Sequence, residues 1–480
     1  MMKHVHLIGI GGSGLSAIAL LLLESGVVVS GSDRQLTPLA ERLQAAGARV
    51  FTGHSPEHVQ GADLVVRSSA IPEENVEVRA AIAAGIPVLK RADFLGELMR
   101  GRQCIAVAGT HGKTTTTAMI AWMLSTLGKD PSYIIGGVSA NLGKNAHAGQ
   151  GPYFVIEADE YDHMFLGLQP QVAVVTNVEY DHPDCYPTPQ AYQQAFLDFA
   201  ARLAPDGLLL ACADDAGAAR LLRDAAALGK RALAYGIAEG QAETGSCDYR
   251  ALSLLSNEAG GFSFDFITHF RPRDPDLGSS AVPLHVALQV PGVHNVRNSL
   301  AALAVASLLG LPMGQAGRAL GEFLGSGRRF ELRGEASGVT VIDDYAHHPT
   351  EIRATLAAAR ARFPGRTIWA VWQPHTYSRT RALFGDFSAA FHEADRVVVT
   401  EVYAAREAAP SDGFSASRVA AAIAGPQVTF IPGLADVEAF ILANLHPGDV
   451  LLVLSAGDAD QVSAQVLRGL QEKAGGRRER

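Results

Sequence analysis

The stretch Val107-Ala-Gly-Thr-His-Gly-Lys-Thr-Thr-Thr-Thr117 decides how the chain is read. An apolar run, CIAVA, passes into a glycine turn, then a lysine, then hydroxyl residues that open a helix. Glycine at 109 and 112 lets the backbone approach an anion, and the N–H groups of the turn and helix start point at it. Lys113 adds a point charge, and the Thr114 hydroxyl can ligate Mg2+. The stretch predicts a loop for nucleotide phosphates made of Gly109, Thr110, His111, Gly112, Lys113, Thr114 and Thr115. Its spacing is compressed, since G-x-x-x-x-G-K-[ST] would need glycine where Val107 stands.

Working outward, apolar strands alternate with helical stretches on both sides of this loop. Upstream come VHLIGI, a glycine turn, a helix, VVVSGSD, a helix over Leu39–Ala46, and strands near Leu64 and Val88, the order of an open parallel sheet. Downstream come YFVIEAD, VAVVTN and GLLLACADD, with a helix over Tyr192–Leu203. Residues 248–290 break the pattern with the short runs YRALSLLS, GFSFDFITHF and LHVALQV, which predict a small antiparallel insertion. An Ala/Leu-rich helix follows Asn298, and Gly325-Ser-Gly327 reads as a linker. The alternation then restarts with VTVIDDY, a helix opened by Pro349 and Glu351, TIWAVW, DRVVVTEVY and DVLLVLS. The expected fold is α/β in three domains: Rossmann-like over 1–98, a central P-loop ATPase domain with a mainly parallel sheet over 99–324, and Rossmann-like again over 325–480.

Length and composition agree with that division. A chain of 480 residues exceeds one ordinary core. A hydrophobic fraction of 48% with 19% charged residues describes a compact protein rather than a disordered one. The net charge of −9 lacks long blocks, which argues against nucleic acid as a partner. The only basic run is the tail from Gly475 to Arg480, read as a solvated terminus. Cys104, Cys185, Cys212 and Cys247 form no C-x-x-C pair, so neither a zinc knuckle nor a disulfide framework is expected, and a reducing cytoplasm fits. The apolar run Leu15–Leu23 is shorter than the ~20 residues a membrane span needs, so no membrane insertion is expected.

Other constellations carry chemistry. Gly9-Ile-Gly11-Gly12-Ser-Gly14 satisfies G-x-G-x-x-G between strand and helix, with Asp33 closing the next strand. That turn binds any pyrophosphate: a nicotinamide dinucleotide or another diphosphate-linked ligand satisfies it, and structural glycines would look the same. Glu157 and Asp159 close a strand beside the phosphate loop and His182 tips its neighbour, an arrangement suited to Mg2+. His294, Asn295 and Asn298 open a helix and can face a base or a phosphate, although helix capping accounts for Asn295 as well. Arg329, beside Arg328, can stabilise a transferring phosphoryl group or remain a solvated arginine. Asp344, Tyr345 and His347 lie between strand and helix, where open sheets gather ligands.

Taken together and in order, GIGGSGLSAIA, GTHGKTTTT, EADEYD, NVEYDHPDCY, GVHNVRNSLAA, RRFE, DDYAHHPTE and QPHTYSRTR make the chain resemble the Mur ligase family of peptidoglycan synthesis along its whole length. Within that family the resemblance is to the member that adds L-alanine to UDP-N-acetylmuramate, and it implies ATP and Mg2+. It implies a UDP-sugar on the first domain at Gly9, Gly11, Gly12, Gly14, Asp33, Ser68 and Ser69, and magnesium near Thr114, Glu157 and His182. His294, Asn295, Asn298, Arg329 and Asp344 would serve the nucleotide, and Tyr345, His347, His375 and Arg379 the amino acid and the substrate carboxylate. Lys113, His182 and Arg329 would carry the catalysis.

The implied reaction phosphorylates the muramoyl carboxylate with ATP and lets alanine's amine capture the acyl phosphate, with His182 or a nearby carboxylate as base. Closure of the third domain would keep water from that intermediate. A monomer or weak homodimer in the cytoplasm is expected. The chain departs from the family pattern at Tyr161, where many members have serine, and at Ser455-Ala-Gly457, where Gly-Ala-Gly is more frequent. Other readings are a recycling ligase that attaches a tripeptide to the same sugar nucleotide, an NAD-dependent oxidoreductase suggested by the first glycine loop alone, and a non-catalytic ATP switch. The oxidoreductase leaves Lys113 and Glu157 unexplained; the switch leaves the first glycine loop and the last domain without a task.

Overall fold

A computed structural model describes residues 3–237, 247–268 and 283–476. They form three sheets in chain order, and each functional loop lies at the carboxyl ends of parallel strands. The first sheet is wholly parallel, in the order Arg49–Thr52, Val28–Asp33, His4–Ile8, Leu64–Arg67, Val88–Lys90. Its order reverses beside His4–Ile8, and the glycine loop leaves that strand.

The central sheet has ten strands, and Gln103–Ala108 lies between Val172–Val175 and Tyr153–Glu157, all parallel. These three buried strands aim the phosphate loop, Glu157 and Asn177 at one edge. The predicted antiparallel insertion is continuous with this sheet. Tyr249–Ser256 pairs in parallel with Arg231–Ile237, and Phe262–Thr268 and Leu284–Ala287 extend it antiparallel. His269 and Phe270 of the predicted run, and 477–480 of the basic tail, lie outside the described residues.

The third sheet runs Glu331–Ala336, Val339–Asp344, Val450–Ser455, Ile368–Gln373, Arg396–Val399, Gln427–Phe430, parallel except for its first strand. The short strands Arg49–Thr52, Glu331–Ala336 and Gln427–Phe430 lack the apolar runs from which strands are read.

The helix Lys113–Thr126 follows the phosphate loop despite four consecutive threonines, poor helix formers because branching at Cβ stiffens χ1. Burial overrides propensity: Thr114 through Met119 are all buried, and Thr117 Oγ1 donates to Lys113 O at 2.8 Å. The helix packs against Val293–Leu308, whose alanines allow close approach. That second helix starts five residues before Asn298, and Asn295 is not its cap: Nδ2 donates to Pro291 O at 2.7 Å. The linker Gly325–Gly327 is tied to the central domain, with Ala140 N donating to Gly325 O at 3.0 Å and Gly327 N to Val138 O at 2.8 Å.

Candidate active site

The phosphate loop is bent where glycine is required. Gly109 has φ +133° and a Cβ there would run into the Thr176 hydroxyl; Gly112 caps the helix at φ +78°, 2.7 Å short of Asn298 Oδ1 for such a Cβ. Lys113 Nζ donates to Gly109 O at 2.6 Å and to Thr110 O at 3.1 Å and pairs with Glu160 Oε2 at 2.9 Å. Removal from water opposes its charge, but Glu160 and Asp159 more than offset this and raise its pKa. Thr114 Oγ1 donates to Glu157 Oε1 at 3.1 Å, and Gly136 N donates to Oε2 at 2.7 Å. Desolvation raises the Glu157 carboxyl, the state a bound cation would relieve.

Two cavities flank the loop, and Gly112 and Arg329 line both. One, of about 850 Å³, is lined by His111, Thr115, His294, Asn295, Asn298 and Asp344. Its His294 is pulled down to about 4 by desolvation and the nearby Arg297, and is therefore neutral. Burial raises Asp344 to about 6, although it accepts N–H groups of Phe330 and Ala346, each at 2.7 Å.

The other cavity, of about 580 Å³, draws on all three sheets: Gly14 and Arg91 from the first, Thr110, Lys113, Thr114, Glu157 and His182 from the second, Tyr345, His347, His375 and Arg379 from the third. Burial holds His347 at about 3 and His375 at about 4. His182 keeps its proton more firmly than usual, because Asp181 and Glu160 outweigh desolvation.

Several expected residues are placed differently from a simple ligand contact. Asp33 turns back on the glycine loop, its Oδ2 accepting Gly11 N–H at 2.9 Å, so it braces the turn. Gly9, Gly11, Gly12, Asp33, Ser68 and Ser69 do not line the shared cavity, and Ser69 is exposed. Arg379 is engaged by Asp181. Arg329 is no solvated arginine: its Nη1 lies 3.5 Å from Glu351 Oε1 and its guanidinium 5.2 Å from the Tyr345 ring centroid.

Residues without an expected role complete the site. Glu160 neutralises Lys113; the signal for it was a third carboxylate directly after Asp159. Arg91 has no local signal. It follows a short strand, yet its guanidinium fills the space beside Gly14, where a Cβ would overlap it. Its Nε and Nη2 face the Met164 sulfur, and Asp159 stands 3.7 Å away.

Comparison with known proteins agrees with this geometry. Three family models match in order: "Mur ligase family, catalytic domain" at residues 4–103, "Mur ligase middle domain" at 107–306 and "Mur ligase, glutamate ligase domain" at 328–457. The UDP-N-acetylmuramate--L-alanine ligase of Roseiflexus castenholzii is 46% identical over 472 residues, covering 97% of each chain. That of a Geobacter species is 43% identical over 472 residues, covering 98% of each. Among solved structures, the UDP-N-acetylmuramate-alanine ligase of Thermotoga maritima has a TM-score of 0.79 at 29% identity, covering 98% of this chain and 100% of that one. The murein peptide ligase of Psychrobacter arcticus has a TM-score of 0.70 at 27% identity, covering 98% and 99%. With all three of its sheets matched in sequence order and full-length relatives at this identity, the chain belongs to the Mur ligase family.

Proposed function

We propose that this chain is the ATP-dependent ligase that joins L-alanine to the muramoyl carboxylate of UDP-N-acetylmuramate, a step of peptidoglycan synthesis. One observation carries the reading: Gly14 of the first glycine loop, Lys113 of the phosphate loop and His375 of the third sheet line one cavity. A sugar nucleotide, a triphosphate and an amino acid can meet there. The first domain, 1–98, takes the UDP-sugar, with Gly9, Gly11, Gly12, Gly14, Ser68 and Ser69 around its pyrophosphate and Asp33 as the brace of the turn. Arg91 supplies the countercharge. The central domain, 99–324, takes ATP on the loop Gly109 to Thr115, through the backbone of its turn and helix start and the Lys113 and Thr114 side chains rather than the His111 ring, with His294, Asn295 and Asn298 in the adjoining cavity. The third domain, 325–480, brings Arg329 and Asp344 to the nucleotide and Tyr345, His347, His375 and Arg379 to the amino acid.

A carboxylate does not condense with an amine in water because its oxygen is a poor leaving group. Its oxygen attacks the γ-phosphorus, the bond to the β-phosphate oxygen breaks and ADP leaves. Alanine's nitrogen then attacks the acyl carbon, and phosphate departs. Lys113 and Arg329 hold the charge that spreads over the transferring group. Thr114 Oγ1 and the Glu157 carboxylate form the hard-oxygen set that Mg2+ prefers, with His182 adjoining, and Mg2+ bound there would neutralise phosphate oxygens. The amine's proton needs an acceptor. Asp159, raised by partial burial and by Glu160, is shifted in the direction such a base requires; His182, the other candidate, must first give up the proton that Asp181 and Glu160 help it hold.

No described helix is long and apolar enough to cross a membrane. ATP and the free cysteines suit a reducing cytoplasm, in which the chain works as a monomer or weak homodimer. The test is phosphate release: with ATP, Mg2+ and UDP-N-acetylmuramate it is expected only when L-alanine is added. Release that required a tripeptide instead would move the assignment to the recycling ligase, and turnover of NADH would remove it from ligases.

A further inference from the structure

Both ring nitrogens of His111 meet carboxylates, and those carboxylates come from different parts of the chain, a central loop and a helix of the third domain. Nε2 lies 3.0 Å from Glu179 Oε2, beyond the central strand Val172–Val175. Nδ1 lies 3.3 Å from Glu351 Oε1, in the first turn of the third domain's helix Pro349–Arg362. Around them, Thr350 Oγ1 donates to Glu179 Oε1 at 2.7 Å, and the His348 ring packs on that of His111 with centroids 4.6 Å apart. Glu351 is shared with Arg329 Nη1 at 3.5 Å and with His347 Nδ1 at 3.4 Å.

The backbone at His111 is pinned independently of its ring. His111 N donates to Asn177 Oδ1 at 2.8 Å, and His111 O accepts from Thr176 Oγ1 at 2.5 Å and from Asn177 Nδ2 at 3.1 Å. The ring is therefore aimed by the same turn that forms the phosphate loop.

A ring with a carboxylate on each nitrogen must carry both N–H groups. Desolvation opposes that charge, but the hydrogen bonds to Glu179 and Glu351 dominate and raise His111 to about 9. Desolvation and the His111 charge hold His348 near 4, and its Nδ1 accepts Thr350 N–H at 3.3 Å. His111, Glu179 and His348 stand close enough to surround a metal ion, but this charge arrangement makes them a cation held between anions instead of three free ligands.

We infer that His111 is a positioning residue for domain closure: an imidazolium on the phosphate loop that joins Glu179 of the central domain to Glu351 of the third, and so brings Arg329 and Asp344 over the nucleotide. The inference rests on the ligase reading above, in which the third domain shuts before the acyl phosphate forms. It makes closure depend on the shape of the loop, because a loop bent differently would aim the ring away from Glu351.

The test uses the full chain carrying His111→Asn. Asparagine retains the backbone hydrogen bonds of the turn, and its amide is too short to reach both carboxylates. Two charge-assisted bonds are lost, so kcat for ligation is expected to fall by about tenfold or more, while ATP affinity changes by less than about threefold. Solution scattering should show wild-type protein contracting when ATP, Mg2+ and UDP-N-acetylmuramate are added, and His111→Asn contracting less.

A raised histidine pKa means that the bridge is complete below the ordinary value of 6.5 and is lost as pH rises through about 9. Wild-type kcat should therefore carry an alkaline limb that His111→Asn lacks. Glu351→Gln should also reduce contraction, and the double variant should contract no less than either single one. Wild-type kcat with an unchanged alkaline limb in His111→Asn would overturn the inference. So would a parallel loss of ATP affinity and kcat, which would make His111 a nucleotide contact. If wild-type protein ligated nothing, the ligase reading would fall; contraction on ATP and Mg2+ that vanished in His111→Asn would still support the bridge, and equal contraction would sink it.

Discussion

Arg379 and Asp181 meet across the boundary between the third and central sheets, with Nε 2.7 Å from Oδ1, Nη2 3.3 Å from Oδ2, and side chains 6% and 4% exposed. The pair lies next to His182, whose Nδ1 is 3.5 Å from Arg379 Nη2. It joins the helix Tyr377–Ala382, which carries Arg379, to the loop after the strand Val172–Val175 that carries His182, the expected metal contact. The third domain is therefore held at the site by charge as well as by the linker. Arg379 can take a substrate carboxylate only by sharing or exchanging Asp181.

Removing one member of a buried pair leaves the other uncompensated, a cost of about 3–5 kcal/mol. Arg379→Met and Asp181→Asn are both expected to slow ligation strongly and to lower the midpoint of the transition that includes the third domain, read by calorimetry. Replacing both together should be milder than the sum of the two changes. Strict additivity would mean that the contact contributes nothing to closure.

Lys113→Ala removes the charge proposed to face the transferring phosphoryl group and also strands Glu160, which is 1% exposed. Turnover is expected to disappear while UDP-N-acetylmuramate still binds with nearly wild-type affinity in a titration. Loss of both would show that the two anion sites are not separate.

How far the sequence reached is visible at particular residues. The bends at Gly109 and Gly112 were legible because a positive φ and close packing are local demands that only glycine meets cheaply. The three-sheet α/β fold was legible because parallel strands buried on both faces read as apolar runs. Arg91, Glu160 and Glu351 were not legible as parts of one site, since their partners lie on other strand ends or other domains, and nothing in the local pattern says which ends will meet. Asp33 was placed correctly at its strand end but not in its direction. Its bond to Gly11 N–H depends on how tightly the glycine loop folds back. The extent of the central sheet was hidden for a similar reason: alternation reports a strand, not its neighbour.

Arg91 makes a prediction at the first anion site. Its guanidinium has five N–H donors, and its Nε and Nη2 are turned to a thioether, a weak acceptor. Arg91→Ala is expected to raise KM for the UDP-sugar by about tenfold, the loss of one charge-assisted contact, with little change in KM for ATP. Gly14→Ala, which would push the guanidinium aside, should raise the same KM. Equal effects on both substrates would place Arg91 in the structure of the cleft rather than at the pyrophosphate.

Acid stability of the first domain should depend on Glu77. This carboxylate, fully buried, accepts from Ser32 Oγ at 2.5 Å and lies 2.6 Å from His58 Nδ1, 3.2 Å from His54 Nδ1 and 3.7 Å from His6 Nε2. Burial alone would raise it, yet the bonds from His6, Ser32 and His58 lower it from 4.5 to about 2. A carboxylate depressed in the folded state contributes stability that is present above 4.5 and lost as pH falls from 4.5 through about 2. The contribution is on the order of 3 kcal/mol at neutral pH. Glu77→Gln keeps the shape, removes the titrating group and leaves the histidines without their anion. Urea unfolding between pH 7 and pH 3, followed by a probe in the first domain, is expected to show a lower midpoint for the variant at pH 7 and convergence of the two proteins toward pH 3. Midpoints that fall in parallel would mean that acid acts on other carboxylates and that the Glu77 cluster is only packing.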